Sequence, residues 1–455
     1  MAGVSYISFT INFCGQVLLA RMLVPEDFGT FALAMSISEI LFMIGGFGLA
    51  MACISLQNEP EIFNTAMVLS WLLGVVLLLL GVCVCFGASF FYNRKIVIFL
   101  FLLCVVKVLQ VPSSIYSAQM EKNFLFRRVA VITGMTRSSA VIIAVMLGYA
   151  SFGPWSLLVR EILSITLLFA GMLCFSKYTF RIRFDKQTAL KIWQYAYNMF
   201  FMRISEVCFS RMPVFFLGTL GSTNFLGLFE RSFYIAQLPN TMLAPFSAKV
   251  GFALYSKLKQ ENEKISEGLY WSLLISMRIL FPIGLSVYLF PDMILKILFG
   301  EQWAEAGPFL RGFALFLTTA PLWAIVKHAL LAKGYVRDVT IARIISIIIV
   351  SMVIGLVSVR VDIWYYVPWS MSAGIAISTL FLARKLHIIG IRIRWMRIAG
   401  IPMILGCCLS CLGIYLKYRP INPVLNAGII LTIWTIAIIS LEYKEIISFY
   451  RRITV

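Results

Sequence analysis

Long apolar runs recur along the whole chain and restrict its fold more than any other feature. A run of about 18 or more residues is long enough for an α-helix to cross the hydrocarbon core of a bilayer. Hydrophobic residues make up 61% of the 455 residues and charged residues only 13%, unlike a soluble domain. The sequence therefore predicts an all-α polytopic membrane protein with about 14 transmembrane helices. The predicted spans are 4–22, 29–55, 63–91, 96–118, 129–149, 154–175, 195–218, 224–246, 269–290, 308–332, 339–359, 363–383, 397–416 and 423–441.

The positive charges between these runs predict the orientation of the chain. A formal charge of +19 would suggest nucleic-acid binding in a soluble protein, but here much of it falls in short loops, where it sets topology. Arg94, Lys95, Lys417 and Arg419 oppose the trend, yet the asymmetry still predicts that both termini are cytoplasmic. The basic loops hold Lys122, Arg127, Arg128, Lys177, Arg181, Arg183, Lys186, Lys191, Arg384, Lys385, Arg392, Arg394 and Arg397.

A weak internal repeat divides the chain in two. Gly29-Thr30-Phe31 opens the second span and Gly227-Leu228-Phe229 opens the eighth. About two hundred residues separate them, the length of six spans, so both repeats have the same orientation in the membrane. We expect two pseudo-symmetric six-helix lobes at 1–176 and 195–386, a basic cytoplasmic linker at 177–194, and an additional helix pair at 397–442.

Nine lysines and arginines lie inside the predicted spans, and three glutamates accompany them at comparable depth. Each charge costs roughly 2.5–3.5 kcal/mol or more at the bilayer centre, so these side chains should face a wet or protein-lined interior. An excess of positive charge there suits an anionic cargo. The cations are Lys107, Arg137, Arg160, Arg203, Arg211, Arg231, Arg278, Lys327 and Arg343, and the glutamates are Glu161, Glu206 and Glu230.

Six of the nine cations are predicted to line a binding cavity. Arginine suits a phosphate because its planar fork donates two parallel hydrogen bonds. The alternative is that each cation pairs with a nearby glutamate or extends towards the lipid headgroups. The six are Arg137, Arg203, Arg211 and Arg278, which lie deepest in their helices, and Lys107 and Lys327, at similar places in the fourth and tenth spans.

The glutamates and the first outer loop supply further candidates. Glu206 lies within a turn of Arg203 and is the candidate for a titratable coupling residue, with a structural counter-charge as the alternative. Glu161 and Glu230 are counter-charge candidates of the same kind. Arg21 and Asp27 are predicted at an outer gate, where the Asp27 carboxylate would cap the second helix.

Metal binding and ATP hydrolysis are not indicated. The ten cysteines fall within or beside apolar runs, and the chain has only two histidines, His328 and His387. Structural metal sites need clustered ligands of these types. The sequence also contains no P-loop motif. We expect no cofactor and no enzymatic activity, and coupling to protons or sodium ions stays open.

Five segments, in order along some three hundred residues, carry a family resemblance. They are ARMLVPEDFG at 20–29, QMEKNFLFRR at 119–128, GPWSL at 153–157, LGLFER at 226–231 and FGEQWAEA at 299–306. Together they resemble polysaccharide exporters of the Wzx type in the multidrug/oligosaccharidyl-lipid/polysaccharide exporter superfamily. The last segment is similar to the colanic-acid and teichuronic-acid exporter branch. An acidic residue that many relatives carry near the position of Arg211 or Met212 is absent.

The resemblance implies a lipid-linked oligosaccharide (O-antigen) flippase in the bacterial inner membrane. Such a protein would move undecaprenyl-pyrophosphate-linked repeat units outward by alternating access, for O-antigen or exopolysaccharide synthesis. Its expected partners are the lipid-linked oligosaccharide, membrane lipids, a polysaccharide polymerase and a chain-length regulator. A lipid II-type flippase and a multidrug antiporter of the same superfamily are alternatives, and a membrane-embedded polysaccharide polymerase is the less favoured one.

Overall fold

Helices make up all the regular structure in the part of the chain that is described. The computed structural model covers 2–454 apart from 44–47, 57–59, 177, 179, 246–261, 358–360 and 418–422, so Lys177 and Arg419 lie outside it. Within these residues there is no strand, which confirms the predicted all-α class. Among these residues, eleven helical segments are long and apolar enough to cross a bilayer. The protein is a multi-pass membrane protein.

Two compact units make up the chain, Met1–Glu230 and Arg231–Val455. The predicted lobes and linker stay a prediction. The helices of the first unit are α1 (Ala2–Met22), α2 (Pro25–Phe42), α3 (Leu49–Ser55), α4 (Pro60–Ala88), α5 (Arg94–Lys107), α6 (Gln110–Lys122), α7 (Phe126–Tyr149), α8 (Trp155–Phe175), α9 (Lys186–Leu220) and the start of α10 (Thr223–Pro245).

In its described part, the second unit continues with six long α-helices and two short ones. They are α11 (Asn262–Leu289), α12 (Pro291–Phe299), α13 (Gly307–Gly312), α14 (Ala314–Ala332), α15 (Val336–Val357), α16 (Val367–Ile388), α17 (Ile401–Lys417) and α18 (Pro423–Thr454). Short 3-10 helices lie at Glu301–Ala306 and Val361–Tyr366, and a π-helical turn lies at Met396–Gly400.

Each unit has its own apolar core. In the first unit, Leu49, Phe63, Ile115 and Met172 are among the buried residues that join α3, α4, α6 and α8. In the second unit, buried side chains from α11, α17 and α18 form a separate cluster, which includes Leu285, Leu409, Ile430 and Trp434.

One predicted span is interrupted by proline. The apolar run 96–118 folds as two helices, α5 ending at Lys107 and α6 beginning at Gln110. Pro112 explains the break, because its ring would clash with the carbonyl group of the residue four positions earlier in a continuous helix. The interruption places Lys107 at a helix end.

Three of the fourteen predicted spans are not among the eleven apolar helices. They are 29–55, 195–218 and 224–246, which correspond to α2 with α3, α9 and α10. Charged residues lie within α2, α9 and α10 and lower their hydropathy. Polar spans of this kind are typical of helices that face a protein-lined or wet interior.

Candidate functional site

Arg211 in α9 joins three helices of the first unit. Its Nε donates a hydrogen bond to the Glu39 carboxylate in α2, and its Nη1 donates to Glu230 Oε1 in α10 at 3.1 Å. The Arg211, Glu39 and Glu230 side chains are 23%, 29% and 15% exposed, so they are shielded but accessible. We call these three residues the Arg211 cluster. A guanidinium shared between two carboxylates is a strong, charge-assisted arrangement.

Lys107 and Arg160 extend this charged region. Lys107 is only 2% exposed. The carboxylates of Glu39 and Glu161 are close enough to attract its ammonium group electrostatically. Arg160 in α8 contacts Glu161 at 3.7 Å, and its guanidinium lies 5.9 Å from the ring centroid of Phe31. The first unit therefore surrounds most of its intramembrane cations with carboxylates.

Glu39 is the member of the Arg211 cluster that the sequence did not lead us to predict. It lies in the middle of an apolar stretch, Met35–Phe42, as the one charged residue there. An ionisable residue in such a place is itself a signal of a functional site. With Glu39 included, the first unit has a smaller excess of positive charge inside its predicted spans than the three other glutamates alone would give.

Arg203 and Glu206 form a looser pair on α9. The Arg203 Nη1 and Glu206 Oε2 atoms are 3.9 Å apart, and the Arg203 side chain is 63% exposed. The two residues are one helical turn apart, as predicted. The carboxylates that hold Arg211 come instead from neighbouring helices. Arg203 is thus the more accessible of the two α9 arginines.

Two glycines bring α2 and α10 together backbone to backbone. A Cβ atom added to Gly29 would collide with the carbonyl oxygen of Thr223, and one added to Gly227 would collide with that of Pro25. Each glycine meets the residue four positions before the other, so the contact is reciprocal. Only glycine permits so close an approach. The motif that suggested the internal repeat marks this crossing.

Arg278 in the second unit has a different environment. Its Nε lies 3.0 and 2.9 Å from the two carboxylate oxygens of Glu442, and its Nη2 also donates to Glu442. Nη1 donates to the Ile398 carbonyl at 2.9 Å and Nη2 to the Arg397 carbonyl at 2.8 Å. The Trp434 indole donates to the Arg278 carbonyl at 3.0 Å. Every nitrogen of this guanidinium is engaged with α18 or with the π-helical turn.

Aromatic rings lie beside the other three cations predicted inside the spans of the second unit. The Arg343 guanidinium lies 3.9 Å from the ring centroid of the buried Trp323, and the Lys327 ammonium lies 5.0 Å from the same centroid. Arg231 lies 5.0 Å from the ring centroid of Tyr234. Cations over aromatic faces are stabilised by the ring quadrupole. Lys327 and Arg343 therefore share one indole.

The other candidates lie towards the surface of their unit. Arg137 on α7 and Arg21 at the end of α1 are exposed. Val24, and not Asp27, is the N-cap of α2, so Asp27 occupies the third helical position, where its carboxylate accepts from the Val24 backbone N–H. The outer-gate role of Asp27 stays a prediction. The part of the chain that is described has no group of three or more metal-ligating side chains.

The sequence model of one protein family, described as "Polysaccharide biosynthesis protein", matches residues 18–308, more than half of the chain. The protein belongs to the polysaccharide biosynthesis protein family. The matched region includes both glycines of the crossing and the whole Arg211 cluster. The family resemblance seen in the sequence motifs is confirmed.

Two similar proteins are named for the biosynthesis of succinoglycan and of teichuronic acid. Its sequence is 26% identical over 315 residues to "Succinoglycan biosynthesis transport protein ExoT" of Rhizobium meliloti (strain 1021), covering 68% of this chain and 63% of ExoT. It is 26% identical over 125 residues to "Teichuronic acid biosynthesis protein TuaB" of Bacillus subtilis (strain 168), covering 28% of this chain and 26% of TuaB. The match thus spans less than two thirds of the length of either relative.

Solved transporter structures show the same fold as this family member. "Lipid II flippase MurJ, inward closed conformation" aligns with a TM-score of 0.74 and 14% identity over 98% of both chains. An inward-facing multidrug resistance MATE family transporter of the MOP superfamily aligns with a TM-score of 0.65 and 13% identity, over 85% of this chain and 98% of that one. The all-helical MurJ- and MATE-like fold is therefore shared.

Proposed function

We propose that this protein is a flippase that carries a lipid-linked oligosaccharide across the bacterial inner membrane, for the synthesis of a surface polysaccharide. The observation that carries the proposal is the Arg211 cluster, a charged contact between α2, α9 and α10 in a polysaccharide biosynthesis family member. The transport role named for ExoT and the MurJ-like fold support it.

The chemistry of the Arg211 cluster suits a diphosphate-linked cargo. Glu39 and Glu230 hold Arg211 by charge-assisted bonds, and the neighbouring Lys107 brings the formal charge of these four groups to zero. A diphosphate can present two oxygens to the planar guanidinium, as a carboxylate does. An arriving diphosphate can thus replace a carboxylate on Arg211 without leaving the guanidinium uncompensated. Arg203, which is largely exposed, is suited to make the first contact.

Further parts of the proposal follow from the sequence. Transport would proceed by alternating access of the two predicted six-helix lobes, with cytoplasmic termini. Lys107 would add positive charge beside Arg211, and Arg137 and Lys327 remain proposed cavity residues. For Arg278 we propose a structural role in place of the predicted cavity role, because Glu442 and two backbone carbonyls already bind its guanidinium. Glu206 is the proposed coupling residue, and Arg21 and Asp27 the proposed outer gate. A polymerase and a chain-length regulator are the proposed protein partners.

A lipid II-type flippase is the second candidate, because MurJ aligns over nearly the whole chain. Its cargo also joins a sugar to an isoprenoid through a diphosphate, so the Arg211 cluster would serve both. A multidrug antiporter is less well supported, since the named cations exceed the named glutamates and many drugs are cationic.

Complementation tests the proposal. A Gram-negative host that lacks its own exporter would receive the biosynthetic genes of the cognate polysaccharide and either wild-type protein, Arg203→Ala, Arg211→Ala or the control Arg392→Ala. Arg392 is an exposed loop arginine that matches the others in charge. Surface polysaccharide, lipid-linked precursor and protein abundance would all be measured.

We expect wild type and Arg392→Ala to restore surface polysaccharide and to clear the accumulated precursor. Arg211→Ala should lower restoration by about tenfold or more at equal abundance, because the cargo loses its bidentate partner. Failure of the wild-type protein to restore polysaccharide, although it is inserted in the membrane, would reject the flippase. Full activity of Arg211→Ala would remove the Arg211 cluster from the transport site.

A further inference from the structure

An apolar cavity of about 220 Å³ lies in the first unit, near the N-terminal end of α9 and separate from the Arg211 cluster. Leu49 of α3, Leu69 and Leu73 of α4, and Ala189 and Trp193 of α9 are among its lining residues. Lys186 is the single charged residue of the lining. A cavity of this size and polarity disfavours water and accepts hydrocarbon, since even a dry cavity of about 150 Å³ binds benzene.

The backbone directly before Lys186 is bonded to α4. The Arg181 backbone N–H donates to Asn64 Oδ1 at 3.0 Å, and the Asp185 backbone N–H donates to Thr65 Oγ1 at 3.3 Å. Both acceptors are buried residues of α4. These bonds fix the position at which α9 begins.

The N-terminus of α9 is capped by the side chain of the residue before it. Asp185 Oδ2 accepts from the Thr188 backbone N–H at 2.7 Å and from the Thr188 hydroxyl at 2.5 Å. These hydrogen bonds lower the pKa of Asp185 from its ordinary value of 3.8. The Asp185 carboxylate is thus used as a helix cap beside the cavity.

The stretch 181–193, which contains Lys186, exposes both basic and apolar side chains. Arg181, Arg183 and Lys191 are exposed beside Lys186. Ile182 is 86% exposed, and Phe184 and Trp193 are also more than half exposed. Exposed apolar and basic residues that alternate in this way are typical of a segment lying at the boundary between acyl chains and anionic headgroups.

We propose that this cavity binds part of one acyl chain of an anionic phospholipid, whose phosphate contacts Lys186. The apolar lining fits the chain, and the exposed Lys186 of the same lining fits the phosphate, as in basic pockets that bind anionic lipid headgroups. An isoprenoid phosphate has related chemistry. The phospholipid is favoured because the exposed basic and apolar residues of 181–184, directly before Lys186, are suited to the bulk lipid interface.

The bound lipid would brace the junction of α3, α4 and α9, because its chain would fill the space between their side chains. This site is independent of the cargo and does not rest on the proposed function. It predicts a preference for anionic lipid at one place on the protein, beyond the general attraction of its basic loops.

Native mass spectrometry of the detergent-purified full chain tests the proposal. Phosphatidylglycerol and phosphatidylcholine with identical acyl chains would be titrated against wild type, Lys186→Gln, Ala189→Trp and the control Arg392→Gln. Ala189→Trp fills the cavity without changing charge, and Arg392→Gln removes one exposed positive charge elsewhere. Melting temperatures would show that each variant is folded.

We expect wild type to bind phosphatidylglycerol more tightly than phosphatidylcholine. Lys186→Gln should weaken phosphatidylglycerol binding roughly fivefold, the contribution of about one lysine near an anionic surface. Ala189→Trp should weaken binding of both lipids, and Arg392→Gln should change neither. Equal weakening by Arg392→Gln and Lys186→Gln would overturn the site in favour of general charge attraction.

A competition experiment distinguishes a phospholipid from an isoprenoid phosphate as the ligand. Undecaprenyl phosphate would be titrated in competition with phosphatidylglycerol on the same variants. Displacement of phosphatidylglycerol only by a large excess of undecaprenyl phosphate supports the phospholipid site. Preferential binding of undecaprenyl phosphate that is lost in both Lys186→Gln and Ala189→Trp would contradict it.

Discussion

Arg211 and Arg278 lie in similar apolar surroundings in the sequence, yet the structure gives them different partners. Among the described residues, Arg211 bonds to two carboxylate side chains, Glu39 and Glu230, which belong to two other helices and remain partly exposed. Arg278 is 8% exposed and its carboxylate partner Glu442 7%, and the arginine also binds two backbone carbonyls. The two sites therefore differ in whether their partners can be exchanged.

The difference indicates two roles. Backbone carbonyls of the π-helical turn Met396–Gly400 are fixed parts of the fold, and an arginine that satisfies them is a structural support. Carboxylates on separate helices can be released when an anion of similar shape arrives. We therefore expect Arg278 to determine stability and Arg211 to determine transport. Four predictions test or refine this contrast, in order of expected effect on stability.

Arg278→Met should have the largest effect. It leaves the buried Glu442 carboxylate without its counter-charge, which costs about 3–5 kcal/mol. The measurement is the melting temperature and yield of the purified protein in detergent. Arg278→Met combined with Glu442→Met should recover much of this loss, because an apolar pair removes the isolated charge. If the Arg278→Met variant were as stable as wild type, the structural role of Arg278 would be wrong.

Gly29→Ala and Gly227→Ala should come next. Each adds a methyl group that meets a backbone carbonyl oxygen, so α2 and α10 must separate. Overpacking of this kind typically costs about 1–3 kcal/mol. Gly87→Ala is the matched control, since its Cβ would meet nothing within 4 Å. Equal melting temperatures for all three variants would show that the crossing is not tightly packed.

Glu39→Gln and Glu230→Gln should each lower stability less than Arg278→Met does, because the glutamine amide oxygen can still accept a hydrogen bond from Arg211. Each variant leaves Arg211 with one ionised partner. Polysaccharide export, measured by complementation, should fall clearly, although the melting temperature changes little. If stability fell as far as in Arg278→Met, the two sites would be alike, and the exchangeable role of the Arg211 cluster would be wrong.

Asp185→Asn should have the smallest effect and one that depends on pH. Hydrogen bonds from Thr188 lower the pKa of Asp185, so its stabilising effect is present above pH 3.8 and is lost as pH falls through the lowered pKa. Asparagine keeps the cap but carries no charge. Melting temperatures of the two proteins should differ near pH 7 and converge in acid. A constant difference would contradict the assigned cause.

Much of the fold follows from the sequence because membrane spans need long apolar runs. Eleven of the predicted spans meet that criterion in the structure. The partners of Arg278 could not be predicted in this way. Glu442 lies one residue beyond the last predicted span, and helix ends are uncertain from sequence. Which helices pair around Arg211 depends on tertiary packing, which periodicity does not specify, although Glu39 could have been singled out.

The most direct test measures transport itself in proteoliposomes. A fluorescent isoprenoid-diphosphate oligosaccharide would be loaded in the inner leaflet, and its appearance outside would be detected by a membrane-impermeant quencher. We predict transport by wild type and by Arg278→Met with Glu442→Met, and loss of transport in Arg211→Met at equal protein content. Transport by Arg211→Met at the wild-type rate would contradict the account.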